Sequence, residues 1–136
     1  MTKILFVNYT GTVGGPSKSL YYLLTELKKS EWEIFVLLPN KGDLYNRLKK
    51  EGFQVKTLPI PQIYIPRTVI EFLMKAAYSV YSIISIFIYI IKVRPDLVHL
   101  NSAVLILPAI AAKLGRTKLI VHIRESLRRV SLFNKI

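Results

Sequence analysis

The sequence predicts an α/β fold, a Rossmann-like three-layer domain in which a parallel sheet of about five strands carries helices on both faces. Short, continuous apolar runs alternate with helical patterns along the chain, and such runs are typical of strands buried in a parallel sheet. The turn Gly14-Gly15 joins the first strand-like run to the first helical pattern. The 136 residues have the length of one ordinary domain, so residues 1–136 are predicted to form a single domain.

The first half of the chain is predicted to hold three strands and two helices. The apolar runs are closed by turn residues such as Pro39, and the first helical pattern carries leucines on one face. Pro16 suits a first helical turn, and Gly52 ends the second helix. In order, these elements are the strand Lys3–Asn8, the helix Pro16–Lys29, the strand Glu33–Leu38, the helix Gly42–Glu51 and the strand Gln54–Leu58.

The second half follows a proline-rich connection and is predicted to hold two helices and two strands. Pro95 ends a long helix, and Gly115 ends a shorter one. In order, these elements are the helix Thr68–Val93, the strand Asp96–Leu100, the helix Ala103–Leu114 and the strand Lys118–Ile123. The tail Glu125–Ile136 could begin a helix, but the sequence shows no clear partner for it.

The composition favours an anionic partner surface. Twenty Lys and Arg residues against eight Asp and Glu give a formal net charge of +12, in a chain that is 51% hydrophobic. The basic residues are spread along the chain without an arginine-rich tract, which argues against nucleic acid. Basic, apolar chains suit an anionic membrane surface instead. Cysteine is absent and no metal-ligand spacing is found, so we expect a cytoplasmic protein without disulfides, metal or cofactor.

The long third helix contains an uncharged segment, Ala76–Ile91. At 1.5 Å per residue its roughly sixteen residues reach about 24 Å, less than the ~30 Å core of a bilayer. A transmembrane course would also separate the first three strands from the last two. Two other interpretations stay open: the helix packs on the sheet with a Tyr/Ser face outward, or its exposed part lies in the membrane interface. The Tyr/Ser face consists of Tyr78, Ser82, Ser85 and Tyr89, and the candidate membrane-surface residues are Tyr64, Arg67, Lys75, Tyr78, Tyr89 and Lys92.

The glycine loop is the first candidate site. Its spacing matches neither the dinucleotide pattern G-x-G-x-x-G nor the P-loop. Two interpretations remain: a tight turn, or a backbone anion site for a diphosphate formed by Gly14 and Gly15, with Ser17 capping the helix.

Polar residues at the ends of the fourth and fifth strands form the second candidate site. Asn101 and Ser102 follow the fourth strand, and His122, Arg124 and Glu125 lie at the exit of the fifth. Open parallel sheets bind ligands at this edge. The first pair could bind hydroxyl groups or cap the next helix, whereas the second group could orient an acceptor or stabilise developing charge.

Taken together, the chain resembles the N-terminal domain of retaining GT-B glycosyltransferases of family 4. The resemblance covers nearly the whole chain, and the matching pieces are KILFV from Lys3, GGPSKSL from Gly14, RPDLVHLNS from Arg94 and VHIRE from Val121. It implies an acceptor-binding domain that faces a second, donor-binding domain across a cleft. The substrates that it implies are a nucleotide-sugar donor and a glycan or lipid-linked acceptor.

The resemblance also implies roles, a location and a missing part. It places Gly14 and Gly15 near the donor diphosphate and His122 near the transferred sugar. Members that use lipid-linked acceptors sit on the membrane, which implies a peripheral location at the inner face of the cell membrane and a part in making cell-envelope polysaccharide. The donor-binding domain is absent from residues 1–136, so we expect this truncated chain to be inactive unless that domain is supplied in cis or in trans.

Two alternatives remain open at this point. The chain could be a noncatalytic membrane-docking subunit that recruits a separate donor-binding chain. It could also be a generic nucleotide-binding protein with a Rossmann-like fold.

Overall fold

The structure of the protein is a computed structural model, and it describes residues 2–12, 16–61, 65–102 and 105–122. Each helix and strand in these ranges corresponds to a predicted one, with ends that differ by a few residues. The predicted tail helix from Glu125 lies outside the described residues. In chain order the elements are β1 (Lys3–Val7), α1 (Pro16–Leu27), β2 (Glu33–Leu38), α2 (Asp43–Lys50), β3 (Gln54–Thr57), α3 (Val69–Val93), β4 (Leu97–Leu100), α4 (Ile106–Leu114) and β5 (Lys118–Val121).

The strands form one parallel sheet in the order β3-β2-β1-β4-β5. β1 is the central strand, and its Leu5 pairs with Phe35 of β2 and with Val98 of β4. The chain extends the sheet from β1 to β3 in one direction and then returns to add β4 and β5 on the other side. This order confirms the predicted parallel α/β fold, and it places a reversal of strand order between β1 and β4.

Apolar side chains alternate between the two faces of the sheet, as the pleat of a strand requires. In β1, Ile4 and Phe6 face the layer of α1 and α2, whereas Leu5 and Val7 face the layer of α3 and α4. Both faces of the central strands are therefore covered, which explains their continuous apolar composition. The helix residues in the two buried apolar clusters are Leu20, Leu24, Leu44 and Leu48 in the first layer and Ile86, Ile90, Ala111 and Ala112 in the second.

α3 extends beyond the edge at which the parallel strands end. In a strand–helix–strand crossover the helix runs back against the strands, so its first residues lie at the carboxyl edge of the sheet. The Ser82 hydroxyl donates to the carbonyl of Pro59, which follows the end of β3. Ser82 is therefore level with this edge. The preceding residues of the helix, Val69–Tyr81, project roughly 20 Å past the edge at 1.5 Å per residue.

The side of α3 that points away from the sheet is apolar, which corrects the expected Tyr/Ser outer face. Ser82 is buried because its hydroxyl reaches the Pro59 carbonyl, and Tyr89 is half-buried. The Ser85 hydroxyl is satisfied within the helix, donating to the Tyr81 carbonyl at 2.8 Å. We call the exposed apolar positions on the opposite side the outer face of α3, and they are Leu73, Val80, Ile84, Ile88 and Ile91.

By length and composition α3 could cross a membrane. The sheet opposes such a course, because β1 pairs with β2, which precedes α3, and with β4, which follows it. The inner side of α3 also packs against the sheet through Ile86 and Ile90. A crossing helix would separate β4 and β5 from the strands with which they share one sheet.

Candidate functional site

The reversal of strand order between β1 and β4 creates the crevice in which open parallel sheets bind their ligands. Its floor consists of residues that directly follow three strands: Asn8 after β1, Asn101 and Ser102 after β4, and His122 after β5. The Asn101 N–H donates to the last carbonyl of β1 at 3.0 Å, and the His122 N–H donates to the last carbonyl of β4 at 2.8 Å. Backbone hydrogen bonds therefore keep these residues aligned along one edge.

Asn8 is the centre of a buried polar network. Its side-chain amide donates to the Ser17 hydroxyl at 2.9 Å and to the Thr10 carbonyl at 2.8 Å. Its Oδ1 accepts from Nδ2 of Asn101 at 3.0 Å. Asn8, Ser17 and Asn101 are almost fully buried, where polar groups need hydrogen-bond partners. The network ties the end of β1 to the start of α1 and to the end of β4.

Ser17 does not cap α1, which corrects the expected capping role. α1 begins at Pro16, so Ser17 lies inside the first turn, and its hydroxyl bonds to Asn8. Lys18, the next residue, is exposed. Gly14 and Gly15 lie outside the described residues, so a diphosphate site at their backbone stays a prediction.

The chain that enters the glycine loop is held against the connection between β2 and α2. The Gly11 N–H donates to Oδ1 of Asn40 at 3.1 Å. The Gly11 carbonyl accepts from the N–H groups of Leu44 at 2.9 Å and Tyr45 at 3.3 Å. These are N–H groups of the first turn of α2, which have no carbonyl partner within their own helix. The Leu44 N–H also donates to Oδ1 of Asp43 at 3.0 Å. The Gly11 carbonyl therefore occupies the N–H groups at the amino end of α2. The predicted anion site must then use N–H groups at the amino end of α1.

Gly42 lies against the backbone of Gly11 with no room for a side chain. A Cβ atom at position 42 would stand 2.7 Å from the carbonyl carbon of Gly11 and 3.0 Å from Cγ2 of Thr12. We expect Gly42→Ala to lower the free energy of unfolding by about 1–3 kcal/mol, because the backbone must move to admit the methyl group. Urea denaturation measures the change. A loss no larger than that of Asn46→Ala, an exposed substitution on α2, would contradict this close packing.

His122 stacks on a second histidine, His99 of β4. Their ring centroids are 6.0 Å apart and their planes differ by 17°. The His99 ring also contacts the ring of Phe6, with centroids 5.0 Å apart. Phe6 is buried, His99 is half-buried and His122 is exposed. The three rings of Phe6, His99 and His122 therefore run from the core to the surface of the crevice. The inner two rings support the His122 imidazole, which is the predicted catalytic group.

Asn101 and Ser102 lie at the crevice, but both side chains are buried. They shape its floor from below, so direct contact with an acceptor stays a prediction. Arg124 and Glu125 lie outside the described residues. In the described part of the chain, no group of three His, Cys, Asp or Glu residues could hold a metal ion.

The predicted membrane-surface residues fall into three groups. Arg67, Tyr78 and Lys92 are exposed. Lys75 is half-buried and pairs with Glu71 at 3.8 Å. Tyr89 is half-buried, and this burial raises the pKa of its hydroxyl. Tyr64 lies outside the described residues. These side chains therefore do not form one exposed face.

Sequence reasoning missed Asn8, Gly11 and Asn40 as parts of the site. One signal was present: Asn8 follows β1 as Asn101 follows β4. The two asparagines could have been paired only if β1 and β4 were known to be neighbours. The contact of Gly11 with Asn40 depends on the approach of two loops and has no sequence pattern of its own.

No protein-family model matches this sequence, and no curated protein sequence matches it. Solved structures share its fold. MurG of Acinetobacter baumannii gives a TM-score of 0.68 at 15% identity, over 90% of this chain and 35% of that one. HepE of Anabaena, in a crystal structure with UDP and glucose, gives 0.62 at 21% identity, over 92% of this chain and 30% of that one. The C-terminal domain of the PF1911 hydrogenase of Pyrococcus furiosus gives a TM-score of 0.61 at 15% identity, over 90% of this chain and 91% of that one.

MurG and HepE are GT-B glycosyltransferases, and this chain spans about a third of their length. At these identities the likeness establishes the fold, a Rossmann-like parallel sheet with helices on both faces. The hydrogenase domain has the same fold, so function must be argued from the site rather than from the architecture.

Proposed function

We propose that this chain is the acceptor-binding half of a retaining glycosyltransferase of family 4, which moves a sugar from a nucleotide-sugar to a glycan or lipid-linked acceptor. The observation that carries the proposal is the crevice between β1 and β4, where Asn8, Asn101 and His122 follow strands of a fold shared with MurG and HepE. HepE crystallises with UDP-glucose, which supports a nucleotide-sugar as the donor.

Each crevice residue has a role in this proposal. Gly14 and Gly15 approach the donor diphosphate with their backbone N–H groups. Ser17 fixes the end of their loop through its bond to Asn8. The exposed His122 imidazole faces the transferred sugar, where a hydrogen-bond donor would stabilise developing charge. We propose that Arg124 and Glu125 bind the acceptor and that the transfer uses no metal and no cofactor.

The proposal also requires a second domain on the other side of the cleft. This chain spans about a third of MurG and of HepE, and transfer requires donor and acceptor to be held together. We propose that a donor-binding domain closes the cleft, either in the same polypeptide or as a separate chain. Residues 1–136 alone should therefore transfer no sugar.

The proposed location is the cytoplasmic face of the cell membrane. The net charge of +12 favours an anionic surface, and α3 leaves a long apolar face exposed. Cell-envelope polysaccharide is the class of product that this location suggests.

The proposal is tested by restoring sugar transfer in membranes from a strain of the source organism that lacks this gene. If the donor-binding domain is a separate chain, these membranes still contain it. If it belongs to the same polypeptide, the deletion removes it, and the added chain must carry a tethered donor-binding domain. Adding the chain should restore transfer of labelled sugar from a nucleotide-sugar to extractable acceptor. His122→Ala should lower the restored rate by about 100-fold or more, and Gly15→Val should lower it to background. Lys49→Ala, an exposed change on α2, is the matched control.

The outcomes separate the three candidate functions. Full activity of both His122→Ala and Gly15→Val would exclude the catalytic role and leave a noncatalytic docking subunit. Tight binding of a nucleotide by the isolated chain, with no transfer in any membrane, would favour a generic nucleotide-binding protein. Loss of transfer in both variants with normal folding supports the acceptor-binding half.

A further inference from the structure

We propose that the outer face of α3, continued by α4, lies in the interface of an anionic bilayer along the length of the helix. The proposal deepens the membrane location in the proposed function and rests on it. It assigns insertion into the membrane to the exposed apolar side chains of α3 rather than to its tyrosines, and it keeps Arg67 and Lys92 as contacts with headgroups.

The half of α3 that projects past the sheet has reversed polarity. Leu73 is 60% exposed and Met74 is 68% exposed, whereas the side chains of Glu71 and Lys75 are only 33% and 23% exposed. A helix on the surface of a soluble domain turns its charged residues outward and its apolar residues inward. Here the charged pair is turned toward the protein, and the apolar side chains face outward.

The exposed apolar arc in this half is too wide for one flat protein contact. Successive residues turn by about 100°, so the apolar positions among the first six residues of α3 cover roughly 200° of its circumference. Those positions are Val69, Ile70, Phe72, Leu73 and Met74, and each is more than half exposed. Acyl chains can surround such an arc, because an interfacial helix sinks its apolar face into the boundary between headgroups and hydrocarbon.

α4 extends the same surface sideways. It packs beside α3 on one face of the sheet, and it leaves exposed apolar side chains one helical turn apart at Ile106, Ile110 and Leu114. Single exposed apolar residues are common on protein surfaces, whereas many of them on two neighbouring helices indicate an interaction site. The exposed apolar surface therefore includes residues of both α3 and α4.

Charge distinguishes a bilayer from a second copy of this chain as the occupant. Between Arg67 and Lys118 the sequence has seven basic and two acidic residues, whereas five of its eight acidic residues lie between Glu26 and Glu51. Arg67 lies before α3, and Lys92 and Arg94 lie at its other end, all exposed. Two copies of a face with these basic residues at its ends would repel each other, but anionic headgroups attract them.

Vesicle flotation of the purified chain tests the proposal without any transfer assay. We expect flotation with vesicles of equal parts phosphatidylcholine and phosphatidylglycerol at about 0.1 M salt, and less at about 0.5 M. Leu73→Glu and Ile84→Glu should each weaken binding about tenfold or more, because each replaces an apolar side chain that the bilayer would bury with a carboxylate. Tyr22→Glu is the matched control: Tyr22 is 57% exposed on α1, in the opposite layer.

A fluorescence measurement reports the depth of insertion. Trp32 is the single tryptophan of the chain, so Trp32→Phe allows a reporter at a chosen position. Leu73→Trp in that background should shift to the blue on the anionic vesicles and be quenched by brominated lipid. Tyr22→Trp should change little.

Three results would overturn the proposal. The first is flotation that Leu73→Glu and Ile84→Glu leave unchanged while both variants are folded. The second is a tryptophan at position 73 that lipid does not quench. The third is a stable dimer that Leu73→Glu splits, without flotation of the original chain. None of these results bears on sugar transfer, so failure here is distinguishable from failure of the proposed function.

Discussion

Replacing Phe6 with alanine is expected to lower the free energy of unfolding by about 3–5 kcal/mol, the usual range for a buried phenylalanine. Phe6 is 2% exposed and lies in the core between the sheet and the layer of α1 and α2. Its ring also supports His99, on which His122 stacks. Alanine would leave a cavity under this stack, so the variant should lose stability and alignment of the crevice together.

The control for this change is Phe72→Ala on the projecting half of α3. Phe72 is 56% exposed, so the same truncation there should change the free energy of unfolding in buffer by about 0.5 kcal/mol or less. Urea denaturation of both variants gives the comparison. Equal losses at the two positions would show that the sheet does not bury Phe6 as described. Phe72→Ala should instead weaken vesicle binding, which Phe6→Ala should alter only through unfolding.

Replacing Asn8 with alanine is expected to lower the free energy of unfolding by about 2–4 kcal/mol, because buried partners lose hydrogen bonds. The variant removes the donor to the Ser17 hydroxyl and the acceptor of the Asn101 amide. Asn8→Asp should be similarly unfavourable, since it replaces a donor by a buried negative charge beside the Thr10 carbonyl.

The matched control for Asn8 is Asn46→Ala, which removes an exposed amide from α2. We expect that change to stay within about 0.5 kcal/mol. Where the Asn8 variant remains folded, sugar transfer in the complemented membranes should fall further than the loss of folded protein explains. A normal rate per folded molecule would show that the network stabilises the sheet without positioning the crevice.

The fold was predictable from local patterns because β1 and β2 are nearly continuous apolar runs and the elements are separated by glycine, proline or polar residues. Asn8, Gly52 and Pro95 all lie within two residues of the ends of β1, α2 and α3. β1 ends at Val7, one residue before the predicted end. The Asn8 N–H still donates to the Leu37 carbonyl of β2 at 3.1 Å, and the Asn8 side chain belongs to the polar network.

The site was less predictable, since it depends on which strands are neighbours. His122 was identified by its place after a strand, and the structure puts it at the predicted edge. The partnership of Asn8 with Asn101 links residues 93 positions apart, which a local pattern cannot show. The interpretation that turns a Tyr/Ser face of α3 outward was also wrong. The spacing of its serines is typical of a polar surface, but the Ser82 hydroxyl is buried and donates to the Pro59 carbonyl.

The strand order has a consequence for how the chain folds during synthesis. β1 leaves the ribosome about ninety residues before its partner β4, which gives the sheet a high contact order. α3 is completed before β4 exists, so its apolar length emerges while the inner side has only half a sheet to pack against. A nascent chain in that state is exposed to aggregation. Early capture of α3 by a chaperone or by lipid would protect it until β4 closes the sheet.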